Sequence, residues 1–204
     1  AELLRRLRPV VTIPLARQRL RPLFSDEAER AEFDTRHSQA RVEQVGFDDA
    51  SGPLFLGMDA GSTTFKAVLL NSDDQLVFSR YESSNDPVSA AIATLREIYA
   101  QLPAAAYLAR ACVTGYGEGL VRAALRIDDG EIETMAHYRA ANHLSPGVTS
   151  VIDIGGQDMK YLRIRGGAID SIAVNEACSS GCGSFLQTFA ATMGTDIRMS
   201  CVCP

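Results

Sequence analysis

A short run of polar residues occurs twice in this chain of 204 residues, and the two copies agree in the spacing of their aspartate, glycine and lysine. The first copy is segment 59–66, Asp-Ala-Gly-Ser-Thr-Thr-Phe-Lys, and the second is segment 153–160, Asp-Ile-Gly-Gly-Gln-Asp-Met-Lys. Apolar residues flank both copies, so each is predicted to form the turn between two β-strands. Two such turns facing each other would clamp a polyphosphate and its divalent metal ion.

The residue types in these turns suit a nucleoside triphosphate. Glycine lets backbone N–H groups approach phosphate oxygens closely, and hydroxyl, amide and ammonium groups add further donors. The predicted phosphate-binding residues are Gly61, Ser62, Thr63, Thr64, Lys66, Gly155, Gly156 and Gln157. Mg²⁺ prefers carboxylates together with retained waters, which favours Asp59 and Asp153 as its ligands. Phosphoryl transfer also needs a group that orients the attacking water, and Asp153 or Gln157 is the predicted catalytic residue.

Each of these features alone also has a purely structural interpretation. Asp-x-Gly at a strand end is a common turn, and Lys160 would then be an ordinary solvated strand residue. Two unrelated turns rarely agree at Asp, Gly and Lys, so the shared register favours nucleotide binding.

A second group of candidate residues lies in segment 175–183, Asn-Glu-Ala-Cys-Ser-Ser-Gly-Cys-Gly, just before a predicted helix. A helix N-terminus and loop amides favour a thiolate, and thiolates are the ligands of iron–sulfur clusters. A pair of small buried hydrophobic side chains fits the spacing equally well. Cys112 lies in an apolar strand and is expected in the core. His137 and His143 are six residues apart on a predicted helix, the wrong spacing for a shared metal site, so packing or surface roles are expected.

Composition excludes several classes of protein. The formal net charge of −5 argues against nucleic acid as a partner. The chain has no run of about 18 apolar residues, and its arginine-rich, proline-broken first stretch is not a signal peptide. The number of cysteines is odd, and four of the five follow residue 177. This distribution favours a reduced, cytoplasmic chain with a metal or redox site over a secreted disulfide framework.

Hydrophobic periodicity and turn residues predict three segments: a charged linker with short helices over 1–53, a first α/β subdomain over 54–148, and the start of a second, incomplete subdomain over 149–204. In the first subdomain the predicted strands are 54–59, 65–70, 76–81 and 108–113, and the predicted helices follow Asp86-Pro87 and cover 117–126 and 132–143. In the second, the predicted strands are 150–154, 158–165 and 168–174, with a turn at Gly166–Gly167 and a helix from Ser184 to Gly194. The fold class is therefore α/β with duplicated βββαβα units, the second cut short.

Four motifs resemble the ATPase family of 2-hydroxyacyl-CoA dehydratase activators and benzoyl-CoA reductase ATP-binding subunits. They are segments 57–66, Val113–Gly117, 151–158 and 175–181, and the similarity covers about residues 54–195. The family belongs to the actin, hexokinase and heat-shock chaperone superfamily, which has a ribonuclease H-like fold. Residues 1–53 resemble the connector that precedes the second ATPase unit in long, fused members.

The resemblance implies a homodimer that holds one four-iron four-sulfur (4Fe-4S) cluster between its subunits. Cys178 matches the family's first cluster ligand, whereas Cys201 and Cys203 come too early to match the second, and the role of Cys182 stays open. ATP hydrolysis in the family drives one low-potential electron, received from a donor such as ferredoxin or flavodoxin, into a dehydratase or reductase.

We therefore expect the N-terminal portion of an ATP-hydrolysing iron–sulfur activator, unable to complete either site alone. Two other functions fit the nucleotide motifs. A small-molecule kinase of the same superfamily would transfer phosphate to a metabolite. A regulatory module would bind nucleotide without turnover.

Overall fold

The computed structural model describes residues 22–39, 41–84, 86–156, 158–175, 183–192 and 194. Internal contacts divide the chain into two compact units, residues 1–42 and 43–204. The first unit contains helix α1 (Glu27–Ser38), whose N-cap Asp26 accepts a hydrogen bond from the N–H of Glu29. No residue of α1 is buried, which agrees with its charged sequence.

A five-stranded sheet forms the larger part of the second unit. Its strands are β1 (Gly52–Ala60), β2 (Thr64–Leu70), β3 (Leu76–Ser83), β4 (Ala106–Thr114) and β5 (Asp129–Gly130), in the order β3-β2-β1-β4-β5. The first three strands pair antiparallel, and β4 lies parallel to β1 and β5. In this register Asp59 lies opposite Lys66, at the end of β1 where the predicted phosphate-binding turn begins.

The core of this sheet fixes the position of that turn. Alternate residues of β1 are buried against helices α2 (Pro87–Gln101) and α3 (Glu118–Leu125), namely Leu54, Leu56, Met58 and Ala60. Successive side chains of a strand point to opposite faces, so Asp59 lies on the other face. Helix α2 begins where the sequence predicted, because Asp86 caps the N–H of Ser89 and Pro87 occupies the first turn.

A second sheet is an antiparallel meander of β6 (Ser150–Ile154), β7 (Met159–Arg165) and β8 (Ala168–Asn175). Asp153 lies opposite Lys160, the same register as in the first hairpin. Gly166 and Gly167 have φ angles of +60° and +78°, as a two-residue hairpin turn of type I′ requires. Helix α4 (Glu133–Leu144) packs on this sheet through Tyr138, and helix α5 (Gly183–Thr192) follows β8 along the chain.

The predicted strands and helices agree with these bounds to within a few residues, except that the two-residue strand β5 was not predicted. Residues 43–50, part of the predicted linker with short helices, contain a short 3-10 helix (Phe47–Asp49). They bond to the edge of β3 through the N–H of Val45 and the carbonyl of Leu76, 3.0 Å apart. Cys112 is half-buried rather than in the core, because its neighbours Ala111 and Val113 occupy the buried face of β4. Among the described residues, no helix has the length and apolarity needed to cross a membrane.

Candidate functional site

The turns after β1 and β6 face each other across one cleft of about 840 Å³. Both predicted phosphate-binding turns line it, through Gly61, Ser62, Thr63, Thr64, Gly155 and Gly156, and Asp59, Lys66 and Asp153 line it as well. A Cβ atom on Gly156 would lie only 2.9 Å from Oγ1 of Thr63, so the two turns approach each other closely. The described residues predicted to bind phosphate and metal therefore share one cleft.

Asp59 has one carboxylate oxygen with no hydrogen-bond partner among the residues that the structure describes. Its side chain is 15% exposed, and its Oδ2 lies 2.7 Å from Nζ of Lys66. Its Oδ1 is buried and accepts no hydrogen bond from the residues that the structure describes. A buried, unsatisfied acceptor costs about 1–3 kcal/mol, so this carboxylate is suited to a cation or a donor that enters the cleft.

Asp153 is held by a residue from another element. Its Oδ2 lies 2.7 Å from Nδ1 of His137 on α4, and its side chain is 19% exposed. This hydrogen bond lowers the pKa of Asp153 below its usual value and raises the pKa of His137 against the opposing effect of burial. Asp153 is therefore ionised at neutral pH.

Lys160 is not the solvated strand residue that the structural interpretation would require. Its side chain is only 13% exposed, and Nζ lies 3.0 Å from Oδ2 of Asp158 and 3.4 Å from Oε2 of Glu133. Burial lowers the pKa of Lys160, but the hydrogen bond to Asp158 and the charge of Glu133 outweigh it, and the net shift is upward. Lys160 therefore neutralises the acidic groups beside Asp153 instead of pairing with Asp153 itself.

The cleft has a donor set that suits a divalent cation. Glu133, His137 and Asp153 each offer one ligand atom, and these atoms lie within 4.8 Å of one another. Asp59 lines the same cleft, and its buried Oδ1 has no hydrogen-bond partner among the described residues. Mg²⁺ prefers carboxylate oxygens, so the carboxylates of this set fit the ion, whereas the imidazole of His137 is not a ligand that it favours.

Sequence reasoning did not predict five residues that line this cleft: Tyr116, Glu133, His137, Ile154 and Asp158. It considered His137 only together with His143, which is exposed and does not line the cleft. The available signal was the i, i+4 spacing of Glu133 and His137, which places both on one face of a helix.

Two predicted site residues, Gln157 and Cys178, lie outside the described residues, as do the unassigned Cys182, Cys201 and Cys203. The side chains of the predicted capping residues Ser184 and Gln187 lie outside them too. The described chain resumes at Gly183, whose N–H donates to the carbonyl of Gly155 at 2.9 Å. The first residue of α5 is thus bonded directly to the second phosphate-binding turn.

Comparison with known proteins shows what this chain is similar to. The model of the BadF/BadG/BcrA/BcrD ATPase family matches residues 56–201. The 2-hydroxyisocaproyl-CoA dehydratase activator of Clostridioides difficile is 32% identical over 145 residues, which are 70% of this chain and 53% of that protein. The (R)-2-hydroxyglutaryl-CoA dehydratase activating ATPase of Acidaminococcus fermentans is 29% identical over 137 residues, 66% of this chain and 52% of that protein.

A solved structure gives the same result. The activator of the 2-hydroxyisocaproyl-CoA dehydratase from Clostridium difficile with bound ADPNP has a TM-score of 0.63 and 30% identity, over 72% of this chain and 54% of that one. The predicted fold class, the α/β fold of the actin, hexokinase and heat-shock ATPases, is thereby confirmed. The chain spans about half the length of the relatives that it matches.

Proposed function

Because this chain belongs to the BadF/BadG/BcrA/BcrD ATPase family, we propose that the cleft between the turns after β1 and β6 binds ATP with Mg²⁺ and hydrolyses the ATP. One observation carries the proposal: two hairpins with the same Asp–Lys register meet at a single cleft. Each turn contributes glycine residues to the lining of the cleft, and glycine lets a backbone approach a polyphosphate closely.

The first hairpin supplies positive charge and hydroxyl donors. Ser62 and Thr63 are exposed in the turn, where their hydroxyl groups can donate to phosphate oxygens. The Lys66 side chain is 43% exposed although its ammonium is paired with Asp59. An ammonium group has three donors, so Lys66 can bind a phosphate oxygen and keep Asp59 as a second partner.

Asp59 and Asp153 are the carboxylates that would hold Mg²⁺ in this cleft. When bound, the ion would neutralise negative charge on the phosphate oxygens. In hydrolysis, a water oxygen forms a bond to the γ-phosphorus and the bond from that phosphorus to the bridging oxygen of ADP breaks. The ionised Asp153 carboxylate accepts a hydrogen bond from the attacking water and orients it, a role that we also assign to Gln157.

We further propose that hydrolysis serves the activation of a 2-hydroxyacyl-CoA dehydratase or a related reductase. Relatives carry names of this kind, and the whole protein's activity is inferred from them. In a homodimer, Cys178 would provide a thiolate ligand of a shared 4Fe-4S cluster, which would hold a low-potential electron received from ferredoxin or flavodoxin. The hydrogen bond between Gly183 and Gly155 supports coupling, because segment 176–182 ends where α5 contacts the second phosphate-binding turn.

The test compares ATP hydrolysis by the natural full-length protein and its Asp153→Asn variant under anaerobic conditions. A lost water-orienting carboxylate should lower kcat by about 100-fold or more. Asp73→Asn is the matched control, since Asp73 is exposed in the turn between β2 and β3, and it should hydrolyse ATP at the wild-type rate.

Three outcomes would contradict the proposal. Equal rates for Asp153→Asn and wild type would remove the catalytic role of Asp153. Transfer of labelled γ-phosphate to a metabolite rather than to water would favour the small-molecule kinase. Nucleotide-dependent binding of a partner without turnover would favour the regulatory module.

A further inference from the structure

The hydrogen bond between His137 and Asp153 breaks the symmetry of the two hairpins. In the first hairpin, Asp59 is paired with the lysine of its own hairpin, Lys66, at 2.7 Å. In the second hairpin, the lysine in the same register is 3.0 Å from Asp158 and leaves Asp153 to another partner. That partner is His137, whose Nδ1 comes from α4 and lies 2.7 Å from Oδ2 of Asp153.

The two kinds of donor constrain a carboxylate differently. A lysine ammonium is a point charge on a flexible stem with three rotatable donors. The Nδ1–H of an imidazole is a single donor whose direction is set by the plane of the ring. A carboxylate bonded at Oδ2 by such a donor is fixed in orientation, and its Oδ1 stays available to accept a further hydrogen bond.

The packing of α4 fixes the position of this imidazole. Tyr138, the next residue, is buried and packs against Leu162 and Ile164 of β7. Its hydroxyl group donates to the carbonyl of Gly167 at 2.8 Å, in the turn between β7 and β8. Helix α4 is thus anchored to the second sheet immediately beside His137, so the imidazole is held in place before any ligand enters the cleft.

From this geometry we propose that His137 is the positioning residue of Asp153. Its Nδ1–H holds Oδ2 and so orients the carboxylate for the other oxygen, Oδ1, to receive the attacking water. The inference rests on the proposed function, because Asp153 is there the group that orients this water. It also gives helix α4 a role in the site, because His137 lies on this helix and not in either phosphate-binding turn.

The test uses His137→Ala, His137→Asn and His137→Gln in the natural full-length protein, with His143→Ala as the matched control on the same helix. His137→Ala removes the donor and should lower kcat by about 10- to 100-fold, as loss of an orienting partner usually does. The KM for ATP should stay near the wild-type value, because the phosphate-binding turns are unchanged. His137→Asn places an amide N–H close to the position of Nδ1 and should restore most of kcat, whereas His137→Gln should not.

The outcomes separate this inference from the proposed function. ATP hydrolysis by His137→Ala at the wild-type kcat would overturn the positioning role and leave the proposed function standing. Rescue by His137→Gln but not by His137→Asn would also overturn it, because the useful contact would then come from the position of Nε2. A wild-type protein that does not hydrolyse ATP would overturn both. The exposed His143→Ala variant should match the wild type in kcat, KM and thermal stability.

Discussion

Replacement of Gly115 by alanine is expected to displace Asp59 from its position in the cleft. Gly115 follows β4 and has a φ angle of +91°. A Cβ atom there would lie 2.5 Å from Oδ1 of Asp59 and 2.8 Å from the carbonyl oxygen of Ala60. The carbonyl belongs to a central strand and cannot move without shifting β1, so the carboxylate must give way.

The expected loss in the free energy of unfolding has two parts, and a substitution at a second glycine separates them. Alanine at such a φ angle costs about 1–3 kcal/mol by backbone strain, and forcing a methyl group into filled space costs about 1–3 kcal/mol more. Gly147, in the loop between α4 and β6, has a φ angle of +82° but no atom within 4 Å of its Cβ position. Gly147→Ala therefore carries the first part alone, and Gly115→Ala carries both.

Thermal unfolding of the two variants measures the difference. A loss of 1 kcal/mol lowers Tm by about 2–4 °C in a domain of roughly this size, so Gly115→Ala should melt about 2–12 °C below Gly147→Ala. Titration with a fluorescent ATP analogue in the presence of Mg²⁺ should show weaker binding by Gly115→Ala and wild-type binding by Gly147→Ala. Equal melting temperatures and equal affinities would refute the assignment of Asp59 to a tightly enclosed position beside the nucleotide.

Two further predictions concern the cysteine segment and the His137–Asp153 pair. After reconstitution with iron and sulfide under argon, Cys178→Ala should lack the broad visible absorption band of a cluster. The control Cys112→Ala, altered at the half-buried thiol of β4, should keep this band. A band that survives in Cys178→Ala would refute the ligand assignment. In metal-free protein, the Asp153 bond raises the pKa of His137 above 6.5, so the pair's stabilisation is complete below that pH and is lost as pH rises through the raised value. The Tm advantage of the wild type over the non-titrating His137→Asn should therefore shrink as pH rises above 6.5 through the raised pKa of His137, and a constant difference would contradict the assignment of the shift to this bond.

The register of both hairpins could be predicted from the sequence because it depends on local information. Two apolar strands joined by a short glycine-containing turn pair antiparallel, and the turn length fixes which residues lie opposite each other. Asp59 therefore faces Lys66 and Asp153 faces Lys160. The start of α2 was predictable for the same reason, since Asp86 and its proline neighbour act within one turn of helix.

The partners of the charged groups could not be predicted in this way. Lys160 and Lys66 occupy the same register, yet Lys160 lies beside Glu133 of α4, and Asp153 is bonded to His137 of the same helix. These contacts depend on how α4 packs against the second sheet through Tyr138. Helix packing of this kind brings together residues that no regular sequence spacing relates. The spacing of His137 and His143 within one helix therefore could not indicate the contact between His137 and Asp153.

The duplicated hairpins therefore provide two carboxylates that would both hold Mg²⁺ but whose surroundings suit each to a different second role. Asp59 keeps one buried oxygen without a partner among the described residues, and its other oxygen is paired with Lys66, whose side chain is 43% exposed. Its surroundings favour holding a cation and a phosphate group together. Asp153 has a directional donor on one oxygen and an ionised state stabilised by that bond. Such a carboxylate is suited to orienting a water molecule. Two carboxylates of one site can thus take different roles because their surroundings differ.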